Sequence, residues 1–286
     1  MRRSVAGRWV RRAVIAVVLF WSLGPIALGI LTSLSSQADV QAGQWLPTSP
    51  DAGGYRALLS SAGARTAGGF VPSEVSAFGH AMLNSAVITV ETTTVLIVLA
   101  VTAGYAFSRL TFPGRRFMLV SLISTLIIPA LAVIVPLWRI MANAHLIGTN
   151  IGLLLIYVSA NAPLAVWLLY NHVRELPIEV EQAALVDGCG RFGAMWRVVI
   201  PQMRSGIAAV AAVMALSVWG EFFIPLLFAP TAGTKPVTVL ITEFVGKYTT
   251  NQPLLAAAGI MTLLPPAVVA IVLSRHIRGL LSGWHG

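Results

Sequence analysis

Six stretches of this chain are apolar for about twenty residues each, the length of α-helix that crosses the hydrocarbon of a bilayer. They run over 13–34, 84–107, 117–140, 151–171, 206–229 and 254–274. A soluble fold of 286 residues has too little polar surface to hide six such runs. Only 10% of the chain is charged and 57% is hydrophobic, against about 25% charged in a soluble domain. The expected fold is therefore all-α: one polytopic membrane domain over 1–286 with six transmembrane helices. An external loop over 35–83 and a cytoplasmic loop over 172–205 are its longest polar connections.

The cationic residues set the orientation. The N-terminal segment carries Arg2, Arg3, Arg8, Arg11 and Arg12. The second connection carries Arg109, Arg115 and Arg116, and the fourth Arg174, Arg191, Arg197 and Arg204. Arg275 and Arg278 close the chain. Fourteen of the nineteen Lys and Arg thus fall on one side of the six spans. The positive-inside rule places that side, with both termini and the 172–205 loop, in the cytoplasm. The charge is spread between apolar runs, not gathered on one face, which argues against nucleic acid as a partner. The first run is longer than the apolar core of a cleaved signal peptide, so it reads as an uncleaved span.

Within 35–83 the residues are rich in Gly, Ser and Ala, with one short helix expected around Tyr55–Ser61. Proline falls inside five of the six runs, at Pro25, Pro129, Pro136, Pro163, Pro225 and the pair Pro265–Pro266. Each bends its helix and frees a carbonyl that a neighbouring helix or a wet cavity must satisfy. Such kinks fit a bundle that moves or encloses a path; tolerance of proline in membrane helices accounts for them equally well. The single cysteine, Cys189, can form neither an intrachain disulfide nor a cysteine-based zinc site, and reads as a plain small residue. His80, His145, His172, His276 and His285 are scattered, so no metal is assigned.

The cytoplasmic loop is the one well-organised polar segment. Pro177 suits a first helical turn, and Glu179 and Glu181 favour the positive end of the helix dipole. Val180, Ala183, Ala184 and Asp187 follow at i, i+3, i+4 and i+7, one face that two small residues keep smooth. Gly188 is placed to end that helix. A second helix is expected from Phe192, Met195, Trp196 and Val199 at the same spacing, with Arg191 and Arg197 off it, stopped by Pro201. Two short helices of this kind can dock into a partner's pocket or lie flat on the bilayer; the residues alone leave both open.

The loop resembles the signature loop of the permease subunits of ATP-binding-cassette importers: E-A-A, three residues, G, nine residues, I-x-L-P. This chain reads Gln182-Ala183-Ala184, three residues, Gly188, nine residues, Val198-Val199-Ile200-Pro201. NSAVITVETTT at 84–94, AGYAFSRLTFPGRR at 103–116, IIPALAVIVPLW at 127–138, VWGEFFIPLLF at 218–228 and RGLLSGWHG at 278–286 resemble the carbohydrate-uptake branch. The chain departs from the pattern at Gln182, in place of the glutamate, and at Gly220, in place of an asparagine.

The resemblance implies a subunit that pairs with a second permease around one path in the bacterial cytoplasmic membrane. It implies a dimer of cytoplasmic ATPase subunits and an extracytoplasmic solute-binding protein. The first loop helix would act as the coupling helix, with Glu181, Gln182, Ala183, Ala184, Asp187, Gly188, Arg191, Phe192 and Pro201 at the ATPase contact. ATP and magnesium would sit on the ATPase; this chain has no G-x-x-x-x-G-K-[ST] loop and binds no cofactor of its own. The solute would be a sugar or a sugar derivative.

Ionisable and hydrogen-bonding groups inside a span each need a reason. Glu91 lies in the second run, Asn161 in the fourth, Trp219 and Glu221 in the fifth. All four are candidates for the translocation path; a helix-tying hydrogen bond is the plainer role for Glu221. Two other classes remain to be weighed: a secondary transporter coupling protons through Glu91 or Glu221, and a membrane enzyme acting on lipid-linked sugars. The first would need no ATPase. The second would need acids or histidines clustered at a membrane face, whereas the carboxylates concentrate in Glu175–Asp187.

Overall fold

A computed structural model describes residues 5–44, 46–59, 73–231, 233–245 and 251–282. Among them the regular structure is helical throughout, as the apolar runs require. The chain divides into two compact units, 1–80 with 240–264, and 81–239 with 265–286.

The first unit holds α1 (Val5–Ser33), the short α2 (Gln37–Gln41) and α3 (Gly53–Leu59), and the start of α4 (Ser73–Arg109). The end of α13 (Val237–Glu243) and the first part of α14 (Gln252–Ser282) complete it. Ser33 and Tyr55 join α1 to α3 through their hydroxyls at 2.6 Å. Phe78 and Phe244 meet edge to face with ring centres 6.5 Å apart. The external segment therefore carries more helix than the one short helix expected around Tyr55–Ser61, with α3 at Gly53–Leu59; residues 60–72 lie outside the described set.

The second unit is built on α4, α7 (Asn150–Glu175) and α11 (Arg204–Trp219). Leu96, Ala100 and Val101 of α4 pack with Ala165, Val166 and Leu169 of α7 and with Val210 and Met214 of α11. Small residues let these helices touch. A Cβ on Gly104 would lie 3.0 Å from the Tyr170 backbone nitrogen, and a Cβ on Gly206 would overlap the His172 ring. A second cluster, centred on Ile88, Leu153, Tyr157, Val218 and Phe228, fills the other end.

Among the described residues, four helices are long and apolar enough to span a membrane: 11–33, 75–109, 150–175 and 252–272. Two bent helix pairs, 115–127 with 131–143 and 191–202 with 204–219, bring the count to six only if each is one span. The runs at 117–140 and 206–229, expected as single helices, are both interrupted. In the first, α5 (Arg115–Ser124) passes through a short 3₁₀ turn, and α6 (Ala130–Asn143) starts afresh after Pro129. The cause is local: Ile128 is extended at ψ 121°, the conformation a following proline enforces. In the second, α11 ends at Trp219, the chain turns through Gly220–Phe222, and α12 (Phe223–Phe228) resumes. At 1.5 Å per residue the sixteen residues of α11 reach about 24 Å, short of the roughly 30 Å hydrocarbon layer.

Candidate functional site

The 172–205 loop folds as the sequence pattern suggests in its first half. α8 (Ile178–Val186) starts from Pro177 and ends in a turn closed by two hydrogen bonds, Gly188 N–H to Leu185 C=O at 3.2 Å and Cys189 N–H to Ala184 C=O at 3.0 Å. That pairing requires a left-handed residue at its centre. Gly188 supplies it, with φ 88°.

The faces of α8 differ from the expected stripe. Glu181, Ala184 and Leu185 turn inward, and Glu181 is only 6% exposed. Glu179, Gln182, Ala183, Val186 and Asp187 turn outward, Val186 at 87% exposed. At 100° per residue Ala183 and Ala184 straddle the boundary, so the two alanines do not form one smooth outer face.

Glu181 is the fixed point of the loop. Tyr105 Oη donates to Glu181 Oε1 at 2.6 Å. Arg109 Nε lies 3.1 Å from Glu181 Oε2, an ion pair whose N–H is not aimed along the contact. The same guanidinium donates through Nη2 to the carbonyls of Val173 at 3.0 Å and Leu176 at 2.8 Å. Arg109 thus caps the carbonyl end of α7, where a cation also suits the helix dipole. Three helices meet on one carboxylate and one guanidinium.

The second half of the loop departs from expectation. After α9 (Arg191–Ala194), residues Met195–Val199 form one wider π-helical turn, closed by the Ile200 N–H on the Met195 carbonyl, before α10 (Ile200–Gln202). The extra residue rotates the face. Met195 and Val199 are buried, whereas Phe192 and Trp196 stand out at 71% and 55% exposed. Their rings meet edge to face with centres 6.2 Å apart, and Arg191 and Arg197 flank them, also exposed. Pro201 is exposed within the last turn and does not stop the segment; the bend into α11 follows it, at 76°. Such π-turns recur at functional sites.

The four path candidates do not converge on one cluster. Glu91 is exposed on α4. Asn161 donates to the Tyr157 carbonyl at 2.9 Å and accepts from Ser217 Oγ at 3.0 Å, tying α7 to α11. Trp219 is buried at the end of α11. Glu221 sits in the break between α11 and α12, where Oε1 accepts the backbone N–H groups of Phe223 at 3.0 Å and Ile224 at 3.2 Å. Its carbonyl accepts from Thr238 Oγ1 at 2.9 Å. Among the described residues no three of His, Cys, Asp or Glu gather as a metal site.

The family profile described as "Binding-protein-dependent transport system inner membrane component" matches residues 96–281. This chain belongs to that family. The permease is 29% identical, over 95% of its length and 89% of the relative's, to the osmoprotective compounds uptake permease protein of Synechocystis sp.. It is 27% identical, over 93% of each chain, to the trehalose transport system permease protein of Mycobacterium tuberculosis. Its fold matches a chain in the crystal structure of a bacterial ABC transporter involved in import of the acidic polysaccharide alginate. The TM-score is 0.81 at 20% identity, over 96% of the permease and 99% of that chain. Membership makes this a membrane permease subunit of an importer, with ATP hydrolysis on a separate partner, and leaves the proton-coupled and lipid-enzyme alternatives without support.

Tyr105 and Arg109 were not singled out from the sequence as site residues. Arg109 counted only as an orienting charge. Their i, i+4 spacing puts both on one face at the end of a long apolar run, and that pattern was the available signal.

Proposed function

We propose that this permease carries a sugar or sugar derivative inward, and that the outward face of α8 together with the Phe192–Trp196 pair docks on a cytoplasmic ATPase. The observation that carries the docking is the loop's geometry. Ala183 and Val186, and beyond them two aromatic rings, stand exposed on short helices, while the opposite side of α8 is anchored into the bundle through Glu181. Exposed aromatic anchors on a rigid base are what a partner's pocket binds. Gln182 lies on the exposed side of α8, so the docking face at this position is neutral.

The sugar assignment rests on the trehalose relative. The full assembly in this reading has a second permease, two ATPase subunits and an external solute-binding protein, with both termini in the cytoplasm on the positive-inside count. Asn161, Trp219 and Glu221 lie along α7 and at the α11 break, where hydrogen-bonding groups and a flat ring suit a sugar. Glu91 joins them as an exposed ionisable group that makes no hydrogen bond or ion pair among the described residues.

The test is affinity purification of the tagged permease from its native membranes, beside Ala183→Arg. Recovery of an ATPase and a second permease with the parent, and loss of the ATPase alone from the variant, supports the docking face. An ATPase recovered equally with both refutes it.

A further inference from the structure

Glu181 differs from every other residue of α8. It is nearly buried, and both its oxygens are engaged inside the subunit. Burying a carboxylate is costly unless it is paired and hydrogen-bonded, and an ion pair in such a place is weak evidence of stabilisation for its own sake. An apolar residue facing Ala184 and Leu185 would hold a nine-residue helix in place as well. The distinctive thing the carboxylate provides is direction: it ties α8 to two specific positions near the end of α4, one helical turn apart, and through Arg109 to the last carbonyls of α7.

The surroundings leave that connection little slack. One residue before Tyr105, Gly104 brings the α4 backbone against the Leu169–Tyr170 backbone of α7. Tyr105 itself is buried in the cluster that joins α4, α7 and α11. α8, by contrast, is too short to hold itself as an isolated helix, and is joined at either end by the non-helical Leu176–Pro177 and Asp187–Gly190. Packing alone would let it tilt. The bonds from Glu181 fix its angle against α4.

We propose that Tyr105, Arg109 and Glu181 form a latch that makes α8 and the adjoining ends of α4 and α7 one mechanical body, so that displacement of α8 by the ATPase moves α4. Glu181 is then a positioning residue that transmits, and the ATPase contact belongs to the outward residues. The proposal rests on the docking of α8 described above. A two-state element that both sites bias is the physical requirement for coupling, and the latch is the link that would make α4 part of that element.

The experiment is amide hydrogen exchange on the intact purified transporter in nanodiscs, nucleotide-free and trapped with ATP and vanadate, for the parent, Glu181→Ala, Glu181→Gln and Tyr105→Phe. Two peptides are read, 178–190 for docking and 103–112 for transmission. In the parent both should change on trapping. In Glu181→Ala the 178–190 response should persist while the 103–112 response falls about fivefold or more, the lower bound of ordinary allosteric coupling. Glu181→Gln, which keeps an acceptor for Tyr105, should restore part of it. Tyr105→Phe removes only one hydroxyl and carries the test if Glu181→Ala does not assemble.

A 103–112 response in Glu181→Ala and Tyr105→Phe equal to that of the parent overturns the latch. So does a parent that responds at 178–190 alone. A parent with no response at 178–190 and no co-purified ATPase refutes the docking itself, a separate outcome.

Discussion

Replacing Arg109 with alanine removes more than one contact. The guanidinium holds Glu181 at 3.1 Å and the carbonyls of Val173 and Leu176 at 3.0 and 2.8 Å. The Val173 carbonyl keeps a second bond, from the Leu176 N–H at 3.2 Å, so its loss is small. The carboxylate is left with Tyr105 as its one donor. Breaking a buried pair by removing one partner costs about 3–5 kcal/mol, most of it the uncompensated charge. The hydrogen-bond losses overlap with that figure and do not add to it. For a chain of this size about 2 °C of melting temperature goes with each kcal/mol, so the apparent Tm in detergent should fall by roughly 6–10 °C. The double variant Arg109→Ala, Glu181→Ala removes the stranded charge too and should recover part of the loss. That non-additivity is the signature of a pair, and a double-mutant cycle isolates it. An Arg109→Ala melting point within 2 °C of the parent, or a double variant that loses the sum of both singles, would refute the reasoning.

Other positions give separate outcomes. Gly188→Val forces a β-branched side chain to φ 88° and should cost on the order of 1–2 kcal/mol, read as faster amide exchange across 183–189. Phe192→Ala, at an exposed ring, should leave the melting temperature unchanged yet weaken ATPase retention about tenfold, as loss of an interface anchor does. Glu221→Ala removes the acceptor for two N–H groups at the start of α12 and should cost about 1 kcal/mol, whereas Glu221→Gln should keep both the cap and transport. Glu91→Ala should assemble normally and alter the rate of solute uptake; loss of assembly in pull-downs would assign it a structural role instead. At Asp39, hydrogen bonds from Thr48 and then Ser36 hold the carboxyl below the ordinary aspartate value of 3.8. The folded form favours the anion, so its support for the start of α2 is complete above that value and is lost as pH falls through the lowered one. Protection of the 37–41 amides, taken relative to their intrinsic exchange rate at each pH, should fall only in acid below that value; a loss of protection near neutrality would contradict the assignment.

The helical, membrane-spanning class was legible because apolar length is a one-dimensional property. The breaks were less so. Pro129 and Gly220 were both visible as residues, but whether a proline kinks or severs a span depends on what satisfies the freed backbone. At Glu221 that was a side chain folding back on its own next turn. In the loop, Gly188 was readable because a left-handed residue has few alternatives. The inward turn of Glu181 was not. Its position in the first turn of α8 predicts only a favourable dipole interaction, and its partners lie 76 and 72 residues back along the chain, at Tyr105 and Arg109. The π-turn at Met195–Val199 likewise carries no periodic signature, and it divided the expected Phe192–Val199 face in two.

The most direct test of the docking claim is photo-crosslinking from Val186, 87% exposed on the outward side of α8, against Val90, 64% exposed on α4. A benzophenone side chain placed at each position in turn, with illumination of intact membranes, would show what lies beside it. An adduct of the permease with an ATPase subunit from position 186 and none from position 90 is the predicted result. An ATPase adduct from neither position, or from position 90 alone, would contradict it.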